Sequence, residues 1–249
     1  MLDTSKFLLN WNQPQLFTMC ILIFLVLVLS LVIYFQIKKV KVDKVPPTIV
    51  LLAEDYFLFI DNLVEDISEG KLNVMKRYFF TLFTFLAFGN LLSVFGFETI
   101  ASSLSVTLTL GIISWTGIFV VGFIFNKLAY IKKYIVNPLN ALSAPAPLIS
   151  LSFRLFGNII GGSAILLVMY HGLSYVWHLI PSNAIGVLNV PAIIIYPPFI
   201  FYFDIFGSLV QSFIFTVLTI SYWSAEIEEE VKPKKQRKSW RLPFKKANA

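Results

Sequence analysis

Cysteine, histidine and charge are all scarce in this sequence of 249 residues, and each scarcity excludes a class of protein. The single cysteine, Cys20, rules out any disulfide framework within the chain. With two histidines beside it, no Cys/His metal spacing exists, so no metal centre is expected. Charged residues make up 14% of the chain, against about 25% in ordinary globular domains. A soluble core is therefore excluded. No glycine-rich run ends in Lys-Ser/Thr, which removes the phosphate-loop route to nucleotide binding, and no cofactor is expected. There is no internal repeat and no low-complexity stretch before the tail. The first apolar run, Phe17 to Ile37, lacks a small-residue cleavage pattern and is long enough to span, so a removable signal is not expected either. What the chain has instead is apolar length: 57% hydrophobic residues, 25 phenylalanines and a mean hydropathy of +0.77. It reads as an all-α, polytopic membrane protein.

The net charge of +6 would suit nucleic acid, but its placement argues for a bilayer. Of the 20 Lys and Arg residues, seven lie between Lys38 and Arg77, three between Lys127 and Lys133, and eight from Lys232 to Lys246. The segments Phe97–Ser103 and Pro181–Val190 carry none. Cytoplasmic loops collect Lys and Arg, so this alternation places the N-terminus outside and the C-terminus inside. The basic tail reads as a membrane-surface anchor, with no nucleic-acid partner.

Three apolar runs have ordinary spanning length: Phe17–Ile37, Tyr78–Phe97 and Val106–Phe125. Two more, Pro138–Ile180 and Val190–Ala225, far exceed the ~20 residues a perpendicular helix needs and must tilt or bend. Pro145, Pro147, Pro191, Pro197 and Pro198 offer places to bend, because each removes a backbone donor. About five membrane helices are thus expected, the last two long, strongly tilted and paired as a hairpin. Between the first two spans, Leu52, Tyr56, Phe59, Ile60, Leu63 and Ile67 recur at helical spacing from Ile49 to Glu69, with Asp55, Asn62, Asp66 and Glu69 opposite. That pattern predicts an amphipathic helix on the inner surface or docked on a partner's helix. The domain organisation is an outer segment 1–16, one membrane domain 17–225 and a basic inner tail 226–249.

Arg154 is the only Lys or Arg between Lys133 and Glu226, and Asp204 is the only acid in that stretch. A charge at the bilayer centre costs about 2.5–3.5 kcal/mol on insertion scales. A guanidinium cannot escape by losing its proton. Such a residue persists where it faces a wet cavity or a carboxylate. Ser150, Arg154, Asn158 and Gly161 share one helical face, and Asp204 and Gln211, seven residues apart, share a face of the next helix. Seven residues are ~10 Å of rise, so Gln211 can sit level with Arg154 while Asp204 sits outward near Ser163. One reading is a fixed cation with a titratable carboxylate on one aqueous side, as a gated proton path needs. The other is a structural Arg154–Asp204 ion pair between helices packed by small residues.

Arg154-Leu-Phe-Gly-Asn158 with Gly162, and the run from Gln211 to Tyr222, resemble the arginine and last-helix motifs of the F-type ATP synthase subunit a family. Ser105-Val-Thr107-Leu-Thr109-Leu is similar to that family's third-span pattern, and Gly89-Asn90-Leu-Leu to its second-span one. The resemblance runs from about Pro47 to Trp223. It implies a stator subunit forming two offset proton half-channels against a rotating c-ring. Arg154 would face the ring's carboxylates, attracting each once deprotonated and preventing leak, with Asn158 and Gln211 as neutral neighbours. Asp204 would relay protons in the outer half-channel. Ser163 stands where the family carries an acid or a histidine, so water or His171 would have to serve in its place. Asn140, Pro145 and Pro147 replace polar residues common at the start of that helix. The implied partners are the c-ring, peripheral-stalk subunits of the b type (through the first span and the 49–69 helix) and the lipid bilayer. The implied location is an energy-transducing membrane, with a bacterial plasma membrane favoured over the mitochondrial inner membrane. Nucleotide chemistry would belong to partner chains. A self-contained secondary transporter is the rival, weakened by the lack of inverted repeats; an inert assembly subunit is the third reading.

Overall fold

In the computed structural model, residues 14–40, 46–136, 144–179 and 189–228 are described, and among them every regular element is helical. Five stretches are long and apolar enough to cross a membrane: Pro14–Lys39, Asn73–Phe95, Leu104–Lys127, Ala146–His178 and Val190–Ile227. They match the expected spans, except that positions 137–143 of the fourth run lie outside the described residues, as do Asn140, most of the outer segment and nearly all the basic tail.

Helix α1 (Pro14–Lys39) is apolar all round and buries only Thr18 and Leu22. A helix apolar on every side and uncovered by its own chain suits lipid. α2 (Thr48–Ser68) is the expected amphipathic helix. Its buried face, Ile60, Val64 and Ser68, packs on the chain's own α3 (Lys76–Leu91) and α7 (Gly207–Glu228). Tyr56 hydroxyl and Thr84 Oγ1 lie 3.0 Å apart across α2 and α3, and Lys76 Nζ reaches Asp61 at 2.8 Å and Glu65 at 3.0 Å. α2 ends where Glu69 and Gly70 take positive φ (50° and 76°), a reversal glycine accommodates without strain.

The core sits around α7, against which α2, α3, α4 (Leu104–Val136) and α5 (Ala146–His178) all pack. Phe79, Leu82, Val121, Leu151, Leu155, Phe215, Ile220 and Trp223 are buried there. Trp223 stacks on Tyr78 and donates its indole N–H to Ser114 O at 2.8 Å, fixing α7 to α4. The ring lies directly over Gly117, where any Cβ would overlap it. Gly117→Ala is therefore expected to lower stability by about 1–3 kcal/mol, the usual cost of overpacking. Thermal unfolding in detergent, followed by tryptophan fluorescence, reads this as an earlier transition; an unchanged midpoint would refute it.

The long helices follow their prolines, though not as bends throughout. Pro147 lies in the first turn of α5 and Pro191 in that of α6 (Val190–Ile200), where a missing N–H costs nothing. Pro145 occupies the cap before α5. These three start helices instead of bending them. Asn189 completes the α6 start, its side chain accepting from Ala192 N at 3.3 Å. Of the five prolines named, Pro197 and Pro198 alone lie inside a helix, and directly after α6 the chain loosens into a π-helical segment, Phe201–Phe206, before α7 begins. At ~1.5 Å per residue, the 33 residues of α5 reach ~50 Å, so α5 exceeds the ~30 Å of hydrocarbon and either inclines or projects beyond it. α5 packs against both α6 and α7, forming the expected hairpin.

Candidate functional site

α5 is two-sided. Leu151, Ser152, Leu155, Gly162 and Leu166 are buried against the rest of the chain. Phe153, Arg154, Gly157 and Asn158 are exposed, and a Cβ at Gly157 or Gly161 would meet no atom within 4 Å. The face expected to be small and polar is thus open to the surroundings. Arg154 projects from it. Its guanidinium Nη2 lies 3.5 Å from Ser150 Oγ, a marginal contact one turn away. Among the described residues no carboxylate pairs with it, so the Arg154–Asp204 ion pair does not form.

Beside this face lies a half-open cavity of about 630 Å³. Asn158, Ser163, Asp204 and Gln211 all line it, so four of the six residues singled out from sequence converge. Arg154 stands one turn from Asn158, just outside the lining. His171 does not join them: it is exposed two turns beyond Ser163, its ring against Tyr170. Asp204 projects from the π-helical segment, half-buried. Gln211 is 4% exposed and Asn90 1% exposed, and each has an amide nitrogen without a protein partner. Both line the cavity. Buried donors of this kind are satisfied by water when space allows, which gives the mixed polar and apolar wall places to hold hydrogen-bonded water.

Sequence reasoning missed the far wall. Gln15, Asn90, Ser93, Glu98, Thr99 and Ser102 line the same cavity, from the start of α1, the end of α3 and the connection to α4. Asn90 lay within the Gly89-Asn90 motif without being assigned a role. Glu98 had its own signal: it is the only acid between Glu69 and Asp204. The wall closes tightly because Gly89 admits Ile100 Cδ1 to within 2.8 Å of where a Cβ would stand and Leu22 to within 3.3 Å. α1, α3 and the connection are thereby held together by Leu22, Leu92 and Ile100.

The sequence pattern of the family described as ATP synthase A chain matches residues 16–224. An ATP synthase subunit a from Mycoplasmoides gallisepticum is 32% identical over 226 residues, covering 83% of this chain and 75% of its own length. That of Mycoplasma genitalium is 29% identical over 82% of this chain and 76% of its own length. The more distant Aquifex aeolicus subunit a is 26% identical across 84% of this chain and 96% of its own length.

Proposed function

The chain belongs to the ATP synthase A chain family, and on that footing we propose that it forms the stationary side of a proton path completed by a rotating ring of partner carboxylates. It is a multi-pass membrane protein, with five helices among the described residues long and apolar enough to span. One observation carries the finer reading. A permanent cation, Arg154, stands on an uncovered helix face with no carboxylate among the described residues to meet it, one turn from a cavity lined by Asn158, Asp204 and Gln211. A mid-membrane guanidinium needs an acid or water. Here the acid comes from another chain.

Each residue then has a task. Arg154 attracts a ring carboxylate as it loses its proton and bars a proton from passing straight across. Asn158 and Gln211 flank it with neutral hydrogen-bonding groups. Asp204 exchanges protons with the cavity, which serves as the outer half-channel, and Ser163 contributes a hydroxyl to its wall. Each charge driven through the membrane is worth about 2.3 kcal/mol per 100 mV. The outer surface of α1 and the exposed side of α2 remain for peripheral-stalk subunits and lipid; the bacterial relatives favour a bacterial plasma membrane, and the spread of Lys and Arg along the chain favours an N-terminus outside.

The open face supplies a direct test. Gly157 has empty space around it, so Gly157→Leu leaves the isolated chain as stable as before. In the assembled complex the same side chain intrudes on the ring. Coupled proton pumping is expected to fall at least about tenfold, equivalent to ~1.4 kcal/mol on the barrier. Normal pumping by fully assembled Gly157→Leu complex would remove the ring from this face.

A further inference from the structure

We infer that Glu98 is the proton-exchanging carboxylate at the mouth of the cavity and that Gln15 is its positioning residue; this rests on reading the cavity as a proton passage. Glu98 and Asp204 are the only two acids among the described residues lining the cavity, and no Lys, Arg or His lines it with them. They differ in depth. Asp204 is half-buried in the hairpin of the last two spans, whereas Glu98 is exposed on the connection between α3 and α4. Gln15 Nε2, from the first turn of α1, donates to Glu98 Oε2 at 2.6 Å and lies 3.4 Å from Ser102 Oγ. Ser102 Oγ in turn donates to Thr99 O at 2.8 Å. These contacts join residues more than eighty positions apart and aim the carboxylate along the cavity wall. Glu98 Oε1 remains to take up and release a proton.

The chemistry is a simple exchange. A proton from hydronium or from a mobile weak acid passes to Glu98 Oε1, leaving water or the conjugate base behind. Glu98 then gives that proton to cavity water, which hands it to the Asp204 carboxylate and leaves Glu98 ionised for the next. Asn90, buried on the wall with a spare amide N–H, gives the water between them a fixed partner. Glu98 thus supplies, from a different element, the second titratable group that Ser163 does not offer.

The test uses the complete synthase in membrane vesicles, with proton uptake measured on the Glu98 side at low and high buffer concentration. A charged mouth raises capture rates by about 10- to 1,000-fold, and Glu98→Gln is expected to slow uptake in dilute buffer by roughly tenfold, the low end of that range. Acetate or imidazole added on the same side restores the rate by delivering protons directly. Gln15→Ala, which leaves the carboxylate but frees it, gives a smaller loss. Two outcomes overturn the inference: Glu98→Gln with wild-type uptake in dilute buffer, or Glu98→Gln and Gln15→Ala equally slow with neither restored by buffer, which marks a purely structural latch. If Glu98→Gln does not assemble, the wild-type complex decides. Its uptake should hold steady as buffer is diluted, and a fall in proportion to buffer rejects a collecting carboxylate. The underlying reading fails separately, if coupled flux survives loss of the Arg154 charge.

Discussion

Arg154→Ala is expected to abolish coupled proton pumping in a complex that assembles normally. The guanidinium is exposed and its nearest partner is Ser150 Oγ at 3.5 Å, so removing it takes no buried contact from the fold. What is lost is the attraction for an arriving carboxylate. At about 4 Å and an effective dielectric constant near 20, two unit charges attract by about 4 kcal/mol. With ~1.4 kcal/mol per decade, that corresponds to a fall of about a thousandfold in coupled rate. The barrier to straight-through leak disappears with the same charge, so residual proton movement should be uncoupled from ATP. Lysine should rescue poorly, because an ammonium can deprotonate in a dry site whereas a guanidinium does not. ATP-driven acidification of inverted vesicles, with subunit stoichiometry checked by co-purification, measures all three. Coupled acidification by a fully assembled Arg154→Ala complex would show the arginine to be an inert packing residue.

Asp204→Asn should slow proton transfer without uncoupling it. The amide is nearly isosteric and Asp204 has no ion pair among the described residues, so the hairpin keeps its shape. A positioned proton-transfer group is worth about 10²–10⁴ in rate. Here the loss should lie near 10², because cavity water and the neighbouring Gln211 still carry a hydrogen-bonded path. The rate should also lose the pH dependence that a titrating carboxylate imparts. Arg154 still blocks leak, so the ATP hydrolysed per proton moved stays at its wild-type value. Steady-state pumping against pH, alongside passive conductance after removal of the catalytic sector, distinguishes the two effects. Conductance equal to wild type across the pH range would take Asp204 out of the path.

Much of this arrangement was legible because it is local. Twenty-residue apolar runs state their own helices, and i, i+4 spacing alone puts Ser150, Arg154 and Asn158 on one face. A charge alone among apolar residues declares itself in the same way. Whether Arg154 met Asp204 was not legible, since two helices can be rotated to pair these groups or to part them. The hairpin parts them. The cavity's far wall was hidden for a related reason: Gln15, Asn90 and Glu98 come from three separated segments, and no pattern along the chain brings them together. His171 shows the limit of reasoning by spacing, because two turns past Ser163 the helix has carried it clear of the cavity. The prolines were identified as interruptions, but their effect depends on position. In a first turn a proline is neutral, while inside a helix it withholds a donor.

The widened turn at Phe201–Phe206 carries one more residue than an α-helical path would. Gly207 N bonds back to Tyr202 O, five positions earlier, and this surplus sets the phase of everything on its N-terminal side. Were these six residues to tighten into an α-helix with none removed, Tyr196 and Ile200 would swing by about 100° relative to Gln211, whereas excising one residue would let the helix close with that phase kept. The widened turn is therefore what holds the two halves of this span in phase: between Pro198 and Gln211 the loss of one residue is the change in length the helix can absorb.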